Sequence, residues 1–186
     1  MRLLILFPFL FSFSGAGCIA QPGYGFGFEE GFIMTKQGDS IKGFVEVASH
    51  YESKIGYKKG LDDAETFIPT KDIKFVLTTG RYLENIALGK HELLMTMVAR
   101  GKISLFLQAA GFKLWHSSSG SRSHRSMYMV FVVKKGSIYT EVPKKRFREI
   151  LSALMYDCPE VVEKIREEVF PFEEMAKAVA EYNSCF

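Results

Sequence analysis

Residues 151–186 read LSALMYDCPEVVEKIREEVFPFEEMAKAVAEYNSCF, and this stretch decides the fold that the sequence predicts. Apolar side chains recur at helical spacing in three runs, each typical of an amphipathic helix with one buried stripe. The runs are Phe147–Met155, Val162–Val169 and Phe172–Val179. Pro143 and Pro159 suit the first turn of a helix, and Pro171 breaks the second run from the third. The chain therefore is predicted to end in three short helices.

Two cysteines flank the second and third helices, Cys158 at the start of one and Cys185 just past the end of the other. If these helices fold back as a hairpin, their outer ends meet and the two thiols come together. In an oxidising compartment this pattern favours a disulfide. Two free buried thiols and redox chemistry are the alternatives, and no Cys-x-x-Cys motif supports the latter. Asp157 and Glu160 also have the spacing of a capping box.

The chain before Pro143 reads as short antiparallel strands. The runs at 32–35 and 41–47 flank a Gly-Asp turn that suits a tight hairpin. Further short runs predict strands at 54–58, 65–68, 73–78, 91–99, 103–107, 112–115, 127–134 and 138–142. Apolar residues from Leu83 onward partly fit a helical spacing, so that stretch is ambiguous. We predict a single α+β domain over residues 29–186, antiparallel and β-rich over 29–142 and helical over 143–186.

The first twenty residues have the order of a secretory signal peptide. Arg2 precedes the apolar run Leu3–Phe13, and small residues follow up to Ala20. This run is too short to span a membrane, which takes roughly 20 residues. Cleavage after Ala20 would leave a flexible Gly-aromatic leader at residues 21–28. The sequence therefore predicts a periplasmic or secreted protein without a transmembrane span in the mature chain, and lipidation at Cys18, giving an outer-membrane lipoprotein, is the alternative.

Charge is unevenly distributed along the chain. Residues 112–148 carry nine basic residues and one acidic residue, whereas residues 149–186 carry three basic and nine acidic ones. Either the basic strands attract the acidic tail, or the basic surface binds an anionic partner such as lipid head groups or polysaccharide. The predicted export disfavours nucleic acid as that partner.

Sequence motifs of the common catalytic classes are absent, including Gly-x-Ser-x-Gly, Ser-x-x-Lys, His-Glu-x-x-His and the Walker loop. Residues 116–126 are polar, basic and rich in serine, which predicts an exposed loop. His116 and His124 lie in it without an acidic ligand beside them, so we predict no metal site and no cofactor. Arg122, His124 and Arg125 would instead form an anion-binding loop.

Two stretches resemble parts of a family of exported bacterial proteins that have no assigned activity. Gly31–Thr35 followed by Gly38–Gly43 resembles the hairpin with which those mature chains open, and Tyr182–Cys185, together with the Asp157-Cys158 pair, resembles their ends. The resemblance implies an envelope or secreted protein and transfers no catalytic residue.

These patterns favour an exported cell-envelope or secreted protein that acts as a non-enzymatic binding or structural module. Its partner would be an envelope component, and the basic segment favours an anionic one. The alternative is a periplasmic hydrolase-like enzyme whose site is assembled from distant residues. A concave site that gathers His116, His124 and a carboxylate would favour the enzyme, and a continuous basic or apolar exposed face would favour the binding module.

Overall fold

The computed structural model describes residues 27–46, 53–115 and 124–186, with side chains described at 27–46, 53–108 and 129–186. The predicted signal peptide, Cys18 and all of the predicted leader before Gly27 lie outside these residues. Within the described ranges, ten antiparallel strands form one sheet, and three helices follow them. This is the α+β order that the sequence predicts.

The elements of the described chain have the following bounds. The strands are β1 (Phe28–Thr35), β2 (Ser40–Glu46), β3 (Lys54–Lys58), β4 (Thr66–Pro69), β5 (Ile73–Thr78), β6 (Tyr82–Leu88), β7 (His91–Ala99), β8 (Ile103–Trp115), β9 (His124–Lys135) and β10 (Ile138–Glu141). The helices are α1 (Phe147–Leu154), α2 (Pro159–Arg166) and α3 (Met175–Asn183), with short 3₁₀ turns at Thr70–Asp72, Lys144–Arg146 and Phe172–Glu174. The strand order in the sheet is β10-β9-β8-β7-β6-β5-β1-β2-β3-β4.

The ambiguous stretch from Leu83 forms β6 and β7, joined by a tight turn in which Gly89 has a φ of 61°. Leu83 and Ile86 are both buried, although they are three positions apart in the strand and therefore lie on opposite faces of the sheet. A strand covered on both faces loses the alternation of apolar and polar residues. Its apolar spacing then imitates a helix, which explains the ambiguity.

The two faces of the sheet carry different cores. On the face that we call the helix side, Ile103, Leu105, Phe131 and Val133 pack against the three helices. On the opposite face, which we call the cleft side, a smaller apolar cluster comprises Ile86, Met95, Phe106 and Val132. Neighbouring residues of β8 and β9 therefore alternate between two buried clusters, as a strand with both faces covered requires.

The sheet curls in opposite directions at its two ends. At the N-terminal end, the 3₁₀ turn after β4 contacts β7 across the helix side, where the Asn85 amide donates hydrogen bonds to the carbonyls of Thr70 (2.8 Å) and Ile73 (2.9 Å). At the other end, β10 contacts β6 across the cleft side. The second curl brings Tyr139 of β10 and Lys134 of β9 next to Glu84 of β6.

Glycines of the β1–β2 hairpin allow the strands to approach closely. Gly31 pairs with Gly43 across the two strands. A Cβ at Gly31 would overlap the Leu77 carbonyl, and one at Gly43 would overlap the Lys58 carbonyl and the Tyr57 ring, which packs over that position. The two glycines therefore have a structural explanation.

The helical tail packs as a layer on β8 and β9. Leu151, Ile165, Met175 and Val179 are fully buried there, and Phe172 packs edge-on against Phe131 with ring centroids 5.1 Å apart. Burying each such side chain stabilises the fold by about 1.5–3 kcal/mol. The tail is therefore an integral part of the hydrophobic core.

Candidate functional site

A cleft of about 660 Å³ lies on the cleft side, between β6 and the turns that join β7 to β8 and β9 to β10. Its apolar lining includes Leu77, Tyr82, Met97 and Phe106, and its polar lining includes Glu84 and Lys134. We call it the Glu84 cleft. Its volume falls within the range of small-ligand sites, roughly 300–1,000 Å³.

Glu84 is the centre of a hydrogen-bonded cluster in this cleft. One carboxylate oxygen, Oε1, accepts a short hydrogen bond from the Tyr139 hydroxyl and a 3.2 Å ion pair from Lys134 Nζ. The other oxygen, Oε2, accepts a longer hydrogen bond of 3.4 Å from the Tyr82 hydroxyl. Lys134 Nζ also lies 4.6 Å from the centroid of the Tyr139 ring. The sheet curl assembles this cluster from β6, β9 and β10.

The surroundings shift the pKa values of the two tyrosines and the lysine of this cluster. Desolvation and then the neighbouring Glu84 raise the pKa of Tyr139 and of Tyr82, so both remain phenols and hydrogen-bond donors. Hydrogen bonds to the Tyr139 hydroxyl and to Glu84 raise the pKa of Lys134, against a smaller opposing effect of burial. Lys134 therefore stays charged at neutral pH.

These protonation states bear on whether the cleft performs nucleophilic chemistry. Ser104 lines the cleft and pairs directly with Lys134 across β8 and β9. A lysine that activates a serine must be neutral, which needs a lowered pKa. The raised pKa of Lys134 opposes that role. Lys134 is therefore not in the neutral state that would be needed to activate Ser104.

A second cleft, of about 520 Å³, adjoins the first on the cleft side. Its lining includes Phe32, Lys42, Phe44 and Lys59, and Leu77 lines both clefts. Leu77 is 41% exposed, which makes it one of the exposed large apolar residues of the described chain. The two clefts are therefore adjacent at Leu77, and each has basic as well as apolar residues in its lining.

The C-terminal residues fasten the tail to the turns that border the Glu84 cleft. Asn183 accepts a hydrogen bond from the Ile103 amide (2.9 Å) and donates one to the Ile103 carbonyl (2.8 Å). Its side chain occupies the space that a Cβ at Gly101 would need. Asp157 accepts a 2.7 Å hydrogen bond from the Tyr182 hydroxyl and forms an ion pair of 2.9 Å with Lys102.

Cys158 and Cys185 form a disulfide, as the sequence predicts, with their Cα atoms 6.4 Å apart. The bond joins the start of α2 to the residue that follows α3 by two positions, so it closes the open end of the helical hairpin. The predicted capping box is wrong, because Cys158 is the N-cap of α2 and no side chain caps it. Asp157 contacts Tyr182 and Lys102 instead.

Several basic residues of 112–148 pair with the acidic tail. Lys135 lies 3.5 Å from Asp157, and Lys144 and Arg148 form ion pairs with Glu173 and Glu168. The attraction predicted between the two segments is present at these pairs. Lys134 departs from it by pairing with Glu84 in the sheet.

The predicted anion-binding loop falls mostly outside the described residues. His116 and Arg122 are not described. The backbone of His124 and Arg125 belongs to β9, opposite Trp115 and Leu114 in β8, so this strand begins three residues before the predicted start at Met127. Their side chains are not among those described.

Sequence reasoning missed the Glu84 cleft. The groups of its hydrogen-bonded cluster come from positions 82, 84, 134 and 139, which share no motif and meet only through the curl of the sheet. The available signal was weak: Glu84 is the only charged residue in the strand Tyr82–Leu88.

Comparison with protein-family models, with curated proteins and with solved structures finds no match. In the part of the chain that the structure describes, no helix is long and apolar enough to cross a membrane. Among those same residues, no group of three or more His, Cys, Asp and Glu side chains is placed to hold a metal ion.

Proposed function

We propose that this chain is an exported, non-enzymatic binding module of the cell envelope, and that the Glu84 cleft receives its ligand. The observation that carries the proposal is an accessible apolar lining beside a polar cluster. The raised pKa values of Lys134 and Tyr139 in this cluster keep the lysine charged and the tyrosine a phenol. The order of residues 1–20 supports export. An oxidising compartment would also favour the disulfide between Cys158 and Cys185.

The ligand-binding part of the proposal is tested by purifying the protein from its native envelope and identifying co-purifying small molecules by mass spectrometry. Leu77→Asp places a charge on the apolar lining, so it should remove a molecule that the wild type retains. Leu61→Asp is the matched control, because Leu61 is also an exposed leucine (58%) but lies in the β3–β4 turn. Equal recovery from both variants would contradict the assignment of the cleft.

The proposed location of the protein is tested by cell fractionation and by the mass of the mature N-terminal peptide. Export with plain cleavage predicts an envelope or extracellular protein that begins at Gln21, unmodified or cyclised. A mature N-terminus at a lipid-modified Cys18 would instead show that the protein is a membrane-anchored lipoprotein. Recovery of the intact chain from the cytoplasm would contradict export.

A further inference from the structure

The apolar lining of the Glu84 cleft is suited to hydrocarbon. Leu77 is 41% exposed, and Tyr82 and Met97 are half-buried, above the fully buried Phe106. The polar groups between them are already engaged, because Glu84 accepts hydrogen bonds from both neighbouring tyrosines and from Lys134. The Glu84 cluster therefore offers a polyhydroxylated ligand few free partners, whereas a hydrocarbon needs none.

The end of the cleft formed by the two turns is basic. Arg100, Lys102 and Lys134 line it, and Glu84 is the one acidic residue in the lining. Glu84 pairs with Lys134, and Lys102 pairs with Asp157. Arg100 is exposed and has no carboxylate partner among the residues that the structure describes. The planar guanidinium of arginine matches carboxylate and phosphate groups, which can take two of its hydrogen bonds at once.

We propose that the Glu84 cleft binds an anionic amphiphile. Its hydrocarbon part lies against Leu77, Tyr82 and Met97, and its carboxylate or phosphate head lies at Arg100. This inference rests on the proposed binding function and specifies the ligand class. Burial of the exposed apolar lining drives the binding, and charge complementarity at Arg100 sets the orientation.

Isothermal titration calorimetry with defined probes, used below their micelle concentrations, tests the inference on the exported protein. Sodium dodecanoate and dodecyl phosphate carry the two head groups, and dodecyl maltoside carries a neutral one. Acetate and inorganic phosphate supply the head groups alone. We expect dodecanoate or dodecyl phosphate to bind at least ten times more tightly than dodecyl maltoside, and we expect no detectable binding of acetate or phosphate. The ratio of the two anionic probes identifies the preferred head group.

Variants separate the two parts of the site. Arg100→Gln should weaken binding of the anionic probes about 3- to 10-fold and reduce its salt dependence. Lys90→Gln, in the exposed β6–β7 turn, should leave binding unchanged. Leu77→Asp should abolish binding of every dodecyl probe, while Leu61→Asp binds like the wild type. Leu77→Thr, which suits a strand, replaces Leu77→Asp if the latter does not fold.

The outcomes distinguish the inference from the function on which it rests. If dodecyl maltoside binds as tightly as dodecanoate and Arg100→Gln changes neither, the anion preference is overturned and a neutral-ligand binding module remains. If dodecyl probes fail to bind but a molecule that depends on Leu77 co-purifies from the envelope, the ligand class is overturned and the cleft stands. If no dodecyl probe binds and no molecule that depends on Leu77 co-purifies, both the ligand class and the binding function are overturned.

Discussion

At the residue scale, Asn183 joins the tail to the sheet through hydrogen bonds to both the amide and the carbonyl of Ile103. Ile103 is fully buried, so both of its backbone groups need partners when the tail is docked. The Asn side chain supplies a donor and an acceptor together. Tyr182 and Cys185, its neighbours in the motif at the chain end, bond to the adjacent residues Asp157 and Cys158.

Replacing Asn183 with Ala removes both hydrogen bonds and leaves the two Ile103 groups unpaired. We expect the free energy of unfolding to fall by about 1–3 kcal/mol in urea denaturation. The neighbouring Ser184→Ala, which loses one exposed hydrogen bond to the Glu181 carbonyl, should change it much less. Equal losses in the two variants would contradict the docking role of Asn183.

Asp157 makes the stability of the tail depend on pH. Hydrogen bonds from Lys102 and Tyr182 hold the pKa of its carboxyl well below the usual value. Its contribution is therefore complete above about pH 4, where an unfolded aspartate ionises, and is lost as the pH falls toward the folded-state pKa. Asp157→Asn should lower the thermal midpoint at pH 7, and the difference from wild type should shrink steadily below pH 4. A difference that stays constant down to pH 2 would contradict this account.

At the element scale, the hairpin of β1 and β2 depends on glycines that have no room for a side chain. Gly43→Ala pushes a Cβ into the Lys58 carbonyl and the Tyr57 ring, and should destabilise the protein by about 1–3 kcal/mol in chemical denaturation. Gly80→Ala is the matched control, because its Cβ meets one atom at ordinary contact distance (3.9 Å). It should stay within about 0.5 kcal/mol of wild type. Similar losses in both variants would rule out the close-approach explanation.

The disulfide closes the hairpin of α2 and α3 over a separation of 27 residues. In the chain-entropy model a loop of this length stabilises the folded state by roughly 3–4 kcal/mol. The double variant Cys158→Ser, Cys185→Ser should lose about that amount in urea, and a reducing agent should destabilise the wild type but not the variant. If the urea unfolding transition of the wild type is unchanged under reducing conditions, with both thiols shown to be free, the disulfide does not stabilise the fold and this account is contradicted.

Local patterns predicted most elements but not how they meet. The helices of the tail and the disulfide were predictable because apolar stripes, prolines and cysteines mark them directly in the sequence. β6 was obscured because Leu83 and Ile86 are buried on opposite faces. The predicted second helix extended beyond Arg166, where α2 ends, because Val169 continued its apolar spacing; that residue is 53% exposed. The capping box failed because Asp157 has stronger partners in Lys102 and Tyr182.

At the scale of the whole molecule, the two faces of the curled sheet have different roles. One face carries the helical tail, and the other carries the Glu84 cleft. Asn183 and Asp157 of the tail contact Ile103 and Lys102 at the β7–β8 turn, and residues of that turn border the cleft. The helices thus support the border of the proposed site from the far side of the sheet. No local pattern specified this arrangement, because strand order and curl depend on contacts between distant residues.

The same arrangement predicts that damage to the tail reaches the cleft. The double serine variant of Cys158 and Cys185 should raise the amide hydrogen-exchange rates of residues 100–103 more than those of the β1–β2 hairpin, measured under native conditions. The hairpin serves as the internal control, because β5 and β6 separate it from β7 and β8 in the sheet. Equal increases in both regions would mean that the bond stabilises the fold as a whole and has no local effect on the cleft border.

The central claim is that ligand binding takes place at the cleft side of the sheet. Its most direct test is a titration of the isotope-labelled protein with a lipid extract of the source cells, followed by amide chemical shifts. We predict saturable shifts at Leu77, Tyr82, Met97 and Arg100, with α1 to α3 unchanged. Shifts confined to the helices or to residues 122–125, or no saturable shift at all, would contradict the claim.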